Sequence, residues 1–223
     1  MKVLEIKGPT KLSGTIKISG AKNSAVALIP ATILSDEETT IYNVPNITDI
    51  SALSDILEYL GATVERKEET IKINSKNIVN KTISEEHSTK LRASYYFLGA
   101  LLGKYKKAEM YFPGGCSIGK RPINLHLKGF EALGATLTSK GNCYKIEAKE
   151  LKGAKIYLDI ASVGATINIM LAATKAKGKT IIDNAAKEPE IVNVATLLNN
   201  MGARITGAGT STITIIGVEE LHG

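Results

Sequence analysis

Residues 112–122 combine a thiol with two cations in a loop that is rich in glycine and proline. The segment reads Phe-Pro-Gly-Gly-Cys-Ser-Ile-Gly-Lys-Arg-Pro, and prolines near both ends predict a loop. Lys120 and Arg121 follow Cys116 by four and five residues, and cations this close favour the thiolate and lower the pKa of a cysteine. We therefore expect Cys116 to be a reactive thiol. The alternative is an ordinary surface loop with an unreactive cysteine.

Three other segments place cations or hydroxyl groups at predicted helix starts. They are residues 20–24 with Lys22 and Asn23, residues 89–93 with Arg92, and residues 161–166 with Ser162. A helix N-terminus exposes unpaired N–H groups and the positive end of the helix dipole, so it suits a phosphate or carboxylate. For Ser162 the alternative is a plain helix cap, which the local sequence favours. For Lys22 and Arg92 it is a solvated charge.

Composition excludes several classes of protein. The 223 residues carry a net charge of +6, but the positive charge is spread, only 5% of residues are aromatic and Trp is absent, so we expect no nucleic-acid partner. No apolar run is long enough for a membrane span, and no signal peptide is evident. The two cysteines, Cys116 and a Cys143 in a strand pattern, form no disulfide framework, which favours the cytoplasm. The three histidines lie at no metal-binding spacing.

The chain contains three copies of one structural unit. Predicted helices end in an apolar residue followed by Gly-Ala at residues 60–62, 133–135 and 201–203, and each is followed by a predicted β-hairpin. An earlier helix and a strand precede each of these helices, with the earlier helices at about residues 23–34, 90–102 and 163–175. Leading strands are predicted at residues 11–19 and 155–159, with a weak candidate at residues 78–83. These helix-strand-helix-strand-strand repeats, at about residues 22–76, 77–150 and 151–217, predict an α/β (α+β) domain around shared buried helices.

Several motifs in order closely resemble the bacterial UDP-N-acetylglucosamine enolpyruvyl transferases, of the EPSP synthase superfamily. The similar segments span the whole chain; they are residues 12–14, 18–23, 91–94, 113–122, 162–166 and 185–190. The shikimate-pathway relatives share the repeat but lack the cysteine loop. The resemblance implies an inside-out α/β barrel domain, one of two similar domains of three repeats each, with substrates bound between them.

The resemblance also implies a reaction. The enolpyruvyl group of phosphoenolpyruvate is transferred to the 3′-hydroxyl of UDP-N-acetylglucosamine with release of phosphate, as the first committed step of peptidoglycan synthesis. No cofactor and no metal is expected. Cys116 would be the proton donor, would form a covalent adduct and would be alkylated by fosfomycin. Phosphoenolpyruvate would bind Lys22, Asn23 and Arg121. UDP-N-acetylglucosamine would bind Arg92, Arg121, Pro122, Ile123, Asn124, Leu125, Ser162, Val163 and Gly164.

Two features depart from the family pattern. Ile160 stands where many relatives carry a lysine, which removes one expected nucleotide contact. The chain holds three units where the family has six, so an aspartate expected to act on the sugar hydroxyl, and further arginines, would belong to a second domain. Residues 1–21 are expected to be an N-terminal strand segment that packs on that domain, and residues 22–223 the first domain.

We therefore expect the chain alone to be inactive, and residues 2–17 to be displaced. Two alternatives stay open at this point: a non-catalytic nucleotide-sugar binding module and a shikimate-pathway enolpyruvyl transferase.

Overall fold

The computed structural model describes residues 3–112 and 123–223. These two ranges contain both helices and strands, and two short 3₁₀ helices, Thr32–Leu34 and Arg92–Tyr95, adjoin the α-helices α1 and α4. The elements in chain order are α1 (Lys22–Ala31), β1 (Glu38–Ile41), α2 (Thr48–Leu60), β2 (Thr63–Lys67), β3 (Thr70–Asn74), α3 (Glu85–Ser88), α4 (Tyr96–Tyr105), β4 (Lys107–Tyr111), α5 (Asn124–Ala132), β5 (Thr136–Lys140), β6 (Cys143–Glu147), β7 (Lys155–Tyr157), α6 (Val163–Ala173), β8 (Lys179–Asp183), α7 (Pro189–Asn200), β9 (Arg204–Thr206) and β10 (Thr212–Ile216).

The described strands form three sheets with the same internal order. The strand orders are β1-β3-β2, β4-β6-β5 and β7-β8-β10-β9. In each sheet the second strand of the hairpin lies in the middle. It pairs on one side with the first strand of the hairpin and on the other with the strand that precedes the outer helix, which is α2, α5 or α7. All these pairings are antiparallel except the parallel pair of β7 with β8. Three sheets of one topology confirm the predicted repeat and the α/β class.

Three helices, one from each unit, form the buried centre. Every residue of α6 from Ala165 to Ala173 is buried, and α4 is buried from Tyr96 to Gly103. These helices are apolar nearly all round because they have neighbours on every side. The outer helices bury one stripe only, as α2 does with Ile50, Leu53 and Leu57. The buried helix starts are therefore held by a continuous core.

The glycines of the three Gly-Ala motifs at the ends of the outer helices share a backbone conformation as well as a residue type. Gly61, Gly134 and Gly202 have φ values of +109°, +93° and +102°. Glycine adopts this left-handed backbone conformation without the steric penalty that a Cβ would add. Each glycine therefore ends its helix and directs the chain into the next hairpin. The three Gly-Ala motifs therefore mark equivalent corners of the fold.

The predicted leading strand at residues 11–19 is wrong. Residues 3–21 form no helix or strand, and Leu12, Ile16 and Ile18 are 81–89% exposed. The alternating pattern is present, but a strand also needs a paired neighbour, and no described strand pairs with this segment. The leading strand of the third unit is confirmed as β7. That of the second unit is reduced to a single parallel bridge between Ile83 and Met110.

The helix predicted at residues 90–102 begins later and is preceded by an element that the sequence pattern missed. Leu91 is extended, the 3₁₀ turn starts at Arg92, and α4 continues to Tyr105. The short helix α3 lies just before it, and Ser88 at its end accepts a hydrogen bond from Ser94 Oγ through its carbonyl. Arg92 therefore still stands at the entrance to a buried helix.

Gly99→Ala should destabilise the protein by about 2 kcal/mol, because α4 and α6 are in backbone contact at Gly99. A Cβ there would lie 2.4 Å from the Asn168 carbonyl oxygen and 2.5 Å from its Oδ1. The better helix propensity of alanine offsets only part of this cost. Urea denaturation measures the change, with Gly8→Ala as control because a Cβ at Gly8 meets nothing within 4 Å. Equal midpoints for the two variants would contradict the packing described.

No helix in the described parts of the chain is long and apolar enough to cross a membrane.

Candidate active site

One concave site joins the starts of the three buried helices. Its volume is about 620 Å³, and Lys22 and Asn23 of α1, Arg92 of the 3₁₀ turn and Val163 of α6 all line it. The helix starts therefore converge on one rim, as the repeat predicted. The remaining lining residues are Val26, Asp49, Thr89, Lys90, Leu91, Ala93, Tyr95, Tyr96 and Glu190.

The polar side chains at the start of α1 are held by carboxylates from the two neighbouring outer helices. Lys22 Nζ lies 2.5 Å from Asp49 Oδ2, in the first turn of α2. Asn23 Nδ2 donates to Glu190 Oε1 of α7 at 3.3 Å. The N-terminus of α1 itself has no side-chain cap. The uncapped N–H groups of α1 can therefore donate to an anion that enters the site, and Lys22, paired with Asp49, lies beside them.

The start of α6 is capped and tightly packed. Ser162 Oγ accepts from the Ala165 N–H at 3.4 Å, which bears out the interpretation of Ser162 as an N-cap. Val163 faces the site. At Gly164 a Cβ would meet Tyr95 Oη at 2.8 Å and the His126 ring at 3.0 Å, so a larger residue there would have to displace both rings.

His126 is a buried neutral imidazole beside this helix start. Burial, with a smaller contribution from the positive charge of Arg92, lowers its pKa to about 4. Its ring lies edge-on to Tyr95 at 4.8 Å between centroids, and the Arg92 guanidinium carbon is 5.8 Å from the Tyr95 ring centre. The sequence interpretation considered His126 only as a metal ligand and missed it here.

Tyr96, which lines the cavity, is a second buried neutral group. The pKa of the Tyr96 hydroxyl is raised, first by burial and then by Tyr95, so this phenol stays protonated. Tyr95 and Tyr96 therefore line the cavity, the neutral His126 ring packs behind Tyr95, and Lys22 and Arg92 supply positive charge beside them. This arrangement suits a ligand with anionic groups at one end and a less polar body.

The remaining predicted residues divide between α5 and a part of the chain outside the described residues. Ile123 is buried, and Asn124, which is exposed, starts α5 with Leu125 beside it. None of these three lines the cavity. Cys116, Arg121 and Pro122 lie outside the described residues. Ile160, the departure from the family pattern, is 70% exposed.

Cys143 is a structural cysteine, as its strand pattern predicted. It begins β6, and its sulfur lies 3.9 Å from Glu109 Oε1 on β4. Burial and the negative charge of Glu109 raise the pKa of the Cys143 thiol. It therefore has the opposite electrostatic surroundings from those that the sequence predicts for Cys116.

Comparison with known proteins shows the family. The family described as EPSP synthase (3-phosphoshikimate 1-carboxyvinyltransferase) matches residues 6–223. The chain is 57% identical over 220 residues to UDP-N-acetylglucosamine 1-carboxyvinyltransferase 2 of Listeria monocytogenes serotype 4b, covering 99% of this chain. It is 58% identical over 224 aligned positions, which cover its whole length, to the protein of the same name from Bacillus anthracis. The chain spans 52% of the length of each of these relatives.

Solved structures share the fold at lower identity. The enolpyruvyl transferase NikO from Streptomyces tendae superposes with a TM-score of 0.84 at 23% identity, over 96% of this chain and 51% of its own. An EPSP synthase from Acinetobacter baumannii superposes with a TM-score of 0.70 at 20% identity, over 94% of this chain and 48% of its own. These two structures show the shared fold, and the family match over residues 6–223 shows that the chain belongs to the EPSP synthase (3-phosphoshikimate 1-carboxyvinyltransferase) family.

Proposed function

We propose that this chain forms one wall of the active site of a UDP-N-acetylglucosamine 1-carboxyvinyltransferase. The reaction is transfer of the enolpyruvyl group of phosphoenolpyruvate to the 3′-hydroxyl of UDP-N-acetylglucosamine, with release of phosphate, for peptidoglycan synthesis in the cytoplasm. The observation that carries the proposal is the convergence of Lys22, Asn23, Arg92 and Val163 on one cavity. The names of the two relatives that are 57% and 58% identical support the choice of substrates.

The chemistry explains why the site gathers cations and helix starts. Both substrates are multiply charged anions, and they must lie side by side. We assign phosphoenolpyruvate to Lys22 and Asn23, with Arg121, since the exposed N-terminus of α1 offers its N–H groups in the same place. The nucleotide sugar is assigned to Arg92, to Arg121 through Leu125, and to the start of α6 from Ser162 to Gly164.

The proposed proton donor is Cys116. Protonation of the methylene carbon of phosphoenolpyruvate by this thiol would leave a cationic carbon at C2, which the sugar hydroxyl attacks. General acid catalysis of this kind accelerates a reaction by a factor of about 10²–10⁴. The same thiol would form the covalent adduct with phosphoenolpyruvate and be alkylated by fosfomycin.

We further propose that a second domain of three units completes the site. The chain spans about half the length of its curated relatives, and the cavity that Lys22 and Arg92 line is open rather than enclosed. An aspartate acting on the sugar hydroxyl is assigned to that second domain. The alternative function is a non-catalytic module that binds the nucleotide sugar through the same rim.

Calorimetric titration with UDP-N-acetylglucosamine tests the proposal. We expect saturable binding that Arg92→Gln weakens, while Lys76→Gln, an exposed lysine after β3, leaves it unchanged. Shikimate 3-phosphate should not bind. Binding of shikimate 3-phosphate in preference to the nucleotide sugar would contradict the assignment of substrate and support the shikimate-pathway alternative.

Cys116 should be alkylated faster than Cys143 at neutral pH. The expected cause is stabilisation of the Cys116 thiolate by Lys120 and Arg121, whereas burial and Glu109 disfavour the thiolate of Cys143. Mass spectrometry of iodoacetamide-treated protein, digested at successive times, measures both rates. Cys143→Ser serves as control, since it should leave the rate at Cys116 unchanged. Faster reaction at Cys143 would contradict the proposed role of Cys116.

A further inference from the structure

Asn168 is a buried amide that connects the central helix α6 to the central helix α4 and to the outer helix α5 behind the site. It lies in the middle of α6 with no exposed surface. Its Oδ1 accepts from the Gly99 N–H of α4 at 2.8 Å, and its Nδ2 lies 2.8 Å from His126 Nδ1 on α5. A buried polar side chain in an otherwise apolar helix needs such partners, and Asn168 has them on both sides.

The bond to Gly99 fixes the direction of the bond to His126. Because a backbone N–H can only donate, the atom of Asn168 that faces it is the carbonyl oxygen, and the atom that faces His126 is the NH₂ group. Nδ1 of His126 is then the acceptor. A neutral imidazole with Nδ1 as acceptor carries its proton on Nε2. The lowering of the His126 pKa to about 4 is consistent with a neutral ring at physiological pH.

The protonated edge of His126 faces the start of α6. A Cβ built on Gly164 would lie 3.2 Å from Nε2 and 3.0 Å from Cε1. Within residues 3–112 and 123–223, no group hydrogen-bonds to Nε2. Among the described residues the fully buried side-chain atoms that lack a partner are Thr39 Oγ1, Ser75 Oγ and Thr180 Oγ1, and Nε2 is not one of them. Nε2 therefore keeps an accessible edge at which it can donate to a ligand acceptor. The α6 N-terminus, the Nε2–H group and nearby Arg92 are all complementary to one anionic group.

We propose that Asn168 is a positioning residue that holds His126 as the Nε2–H tautomer and so presents a neutral N–H donor to the ligand diphosphate at the start of α6. This inference rests on the proposed function, because it takes the nucleotide diphosphate as the anion. His126 contributes a donor here without adding a buried charge, and Gly164 leaves room for the ring. The amide of Asn168 selects the tautomer, since its NH₂ group would be left facing another N–H group if Nδ1 carried the proton.

Long-range ¹H–¹⁵N NMR of the histidine rings in the wild-type protein tests the tautomer without any ligand. We expect Nδ1 of His126 to show the shift of an unprotonated nitrogen and Nε2 that of a protonated one at neutral pH. Addition of UDP-N-acetylglucosamine should shift the Nε2 resonance more than the Nδ1 resonance. The opposite tautomer, or an imidazolium, would overturn the proposal. An Nε2 resonance that does not respond at saturating ligand would also overturn it.

The variant Asn168→Asp tests the role of the amide. Its carboxylate can accept from Gly99 and from Nδ1–H, so the ring should change to the Nδ1–H tautomer or become protonated, and UDP-N-acetylglucosamine should bind about tenfold more weakly. Asn80→Asp is the matched control, because Asn80 is only half-buried, lies outside the cavity and donates to the Lys107 carbonyl at the start of β4. An unchanged tautomer, or the affinity of the control, would overturn the proposal.

The tautomer measurement and the binding measurement distinguish failure of this inference from failure of the proposed function. If the wild-type protein shows the Nε2–H tautomer but binds no nucleotide sugar, the proposed function fails, and with it the diphosphate as the ligand of His126. If the nucleotide sugar binds and the tautomer is the opposite one, only the inference fails. Should Asn168→Asp not fold, the two measurements on the wild-type protein decide alone.

Discussion

Lowering the pH from about 7 to about 4 should reduce the free energy of unfolding by about 3 kcal/mol through His126 alone. The folded-state pKa of His126 is lowered to about 4 by burial and then by Arg92, against an ordinary value of 6.5. Between these two values the unfolded chain binds a proton that the native protein does not bind. The stabilisation is therefore complete above pH 6.5 and is lost as the pH falls towards 4, below which the native ring also becomes protonated.

Urea denaturation at a series of pH values measures this effect, with His126→Gln as the comparison. A glutamine keeps a polar group next to Asn168 but has no titration in this range. Other groups titrate equally in both proteins, so the difference between the two pH profiles reports His126. Parallel profiles for the two proteins would contradict a buried neutral histidine at this position.

The 223-residue chain should release no phosphate above background when it is given both phosphoenolpyruvate and UDP-N-acetylglucosamine. We have proposed that further catalytic groups, above all an aspartate acting on the sugar hydroxyl, belong to a second domain. Loss of general acid–base catalysis lowers the reaction rate by a factor of about 10²–10⁴. An open site also leaves the reacting groups in contact with water. A coupled phosphate assay measures turnover, and calorimetric binding of the nucleotide sugar by the same sample shows that the site is folded. Turnover at the rate of a two-domain relative would contradict the proposed need for a second wall.

Much of the fold follows from local sequence patterns. The predicted helix at residues 163–175 corresponds to α6, Val163–Ala173, and the three predicted hairpins are β2–β3, β5–β6 and β9–β10. These elements were predictable because apolar periodicity and glycine stops act over a few residues. The short helix α3 was missed since four residues carry no period. The strand at residues 11–19 was wrong because its alternating pattern cannot show whether a partner strand exists.

The site was predictable at its rim and less so behind it. A cation or hydroxyl at a helix start is a local feature, and the threefold repeat predicted that such starts converge. The carboxylate partners were not predictable, because Asn23 and Glu190 are 167 residues apart in sequence. The pairing of His126 with Asn168 spans 42 residues. An asparagine within an apolar helix was the available signal, since a buried amide requires a polar partner.

Chemical-shift mapping with UDP-N-acetylglucosamine asks directly whether the converging helix starts form the substrate site. Amide resonances of ¹⁵N-labelled protein would be followed during the titration, and then again after addition of phosphoenolpyruvate. We expect saturable shifts at Arg92, Val163 and Gly164 with the nucleotide sugar, and at Lys22 and Asn23 with phosphoenolpyruvate. Saturable shifts confined to the cavity around Lys106, Gly134 and Glu150, or no shifts at millimolar ligand, would contradict the proposed site.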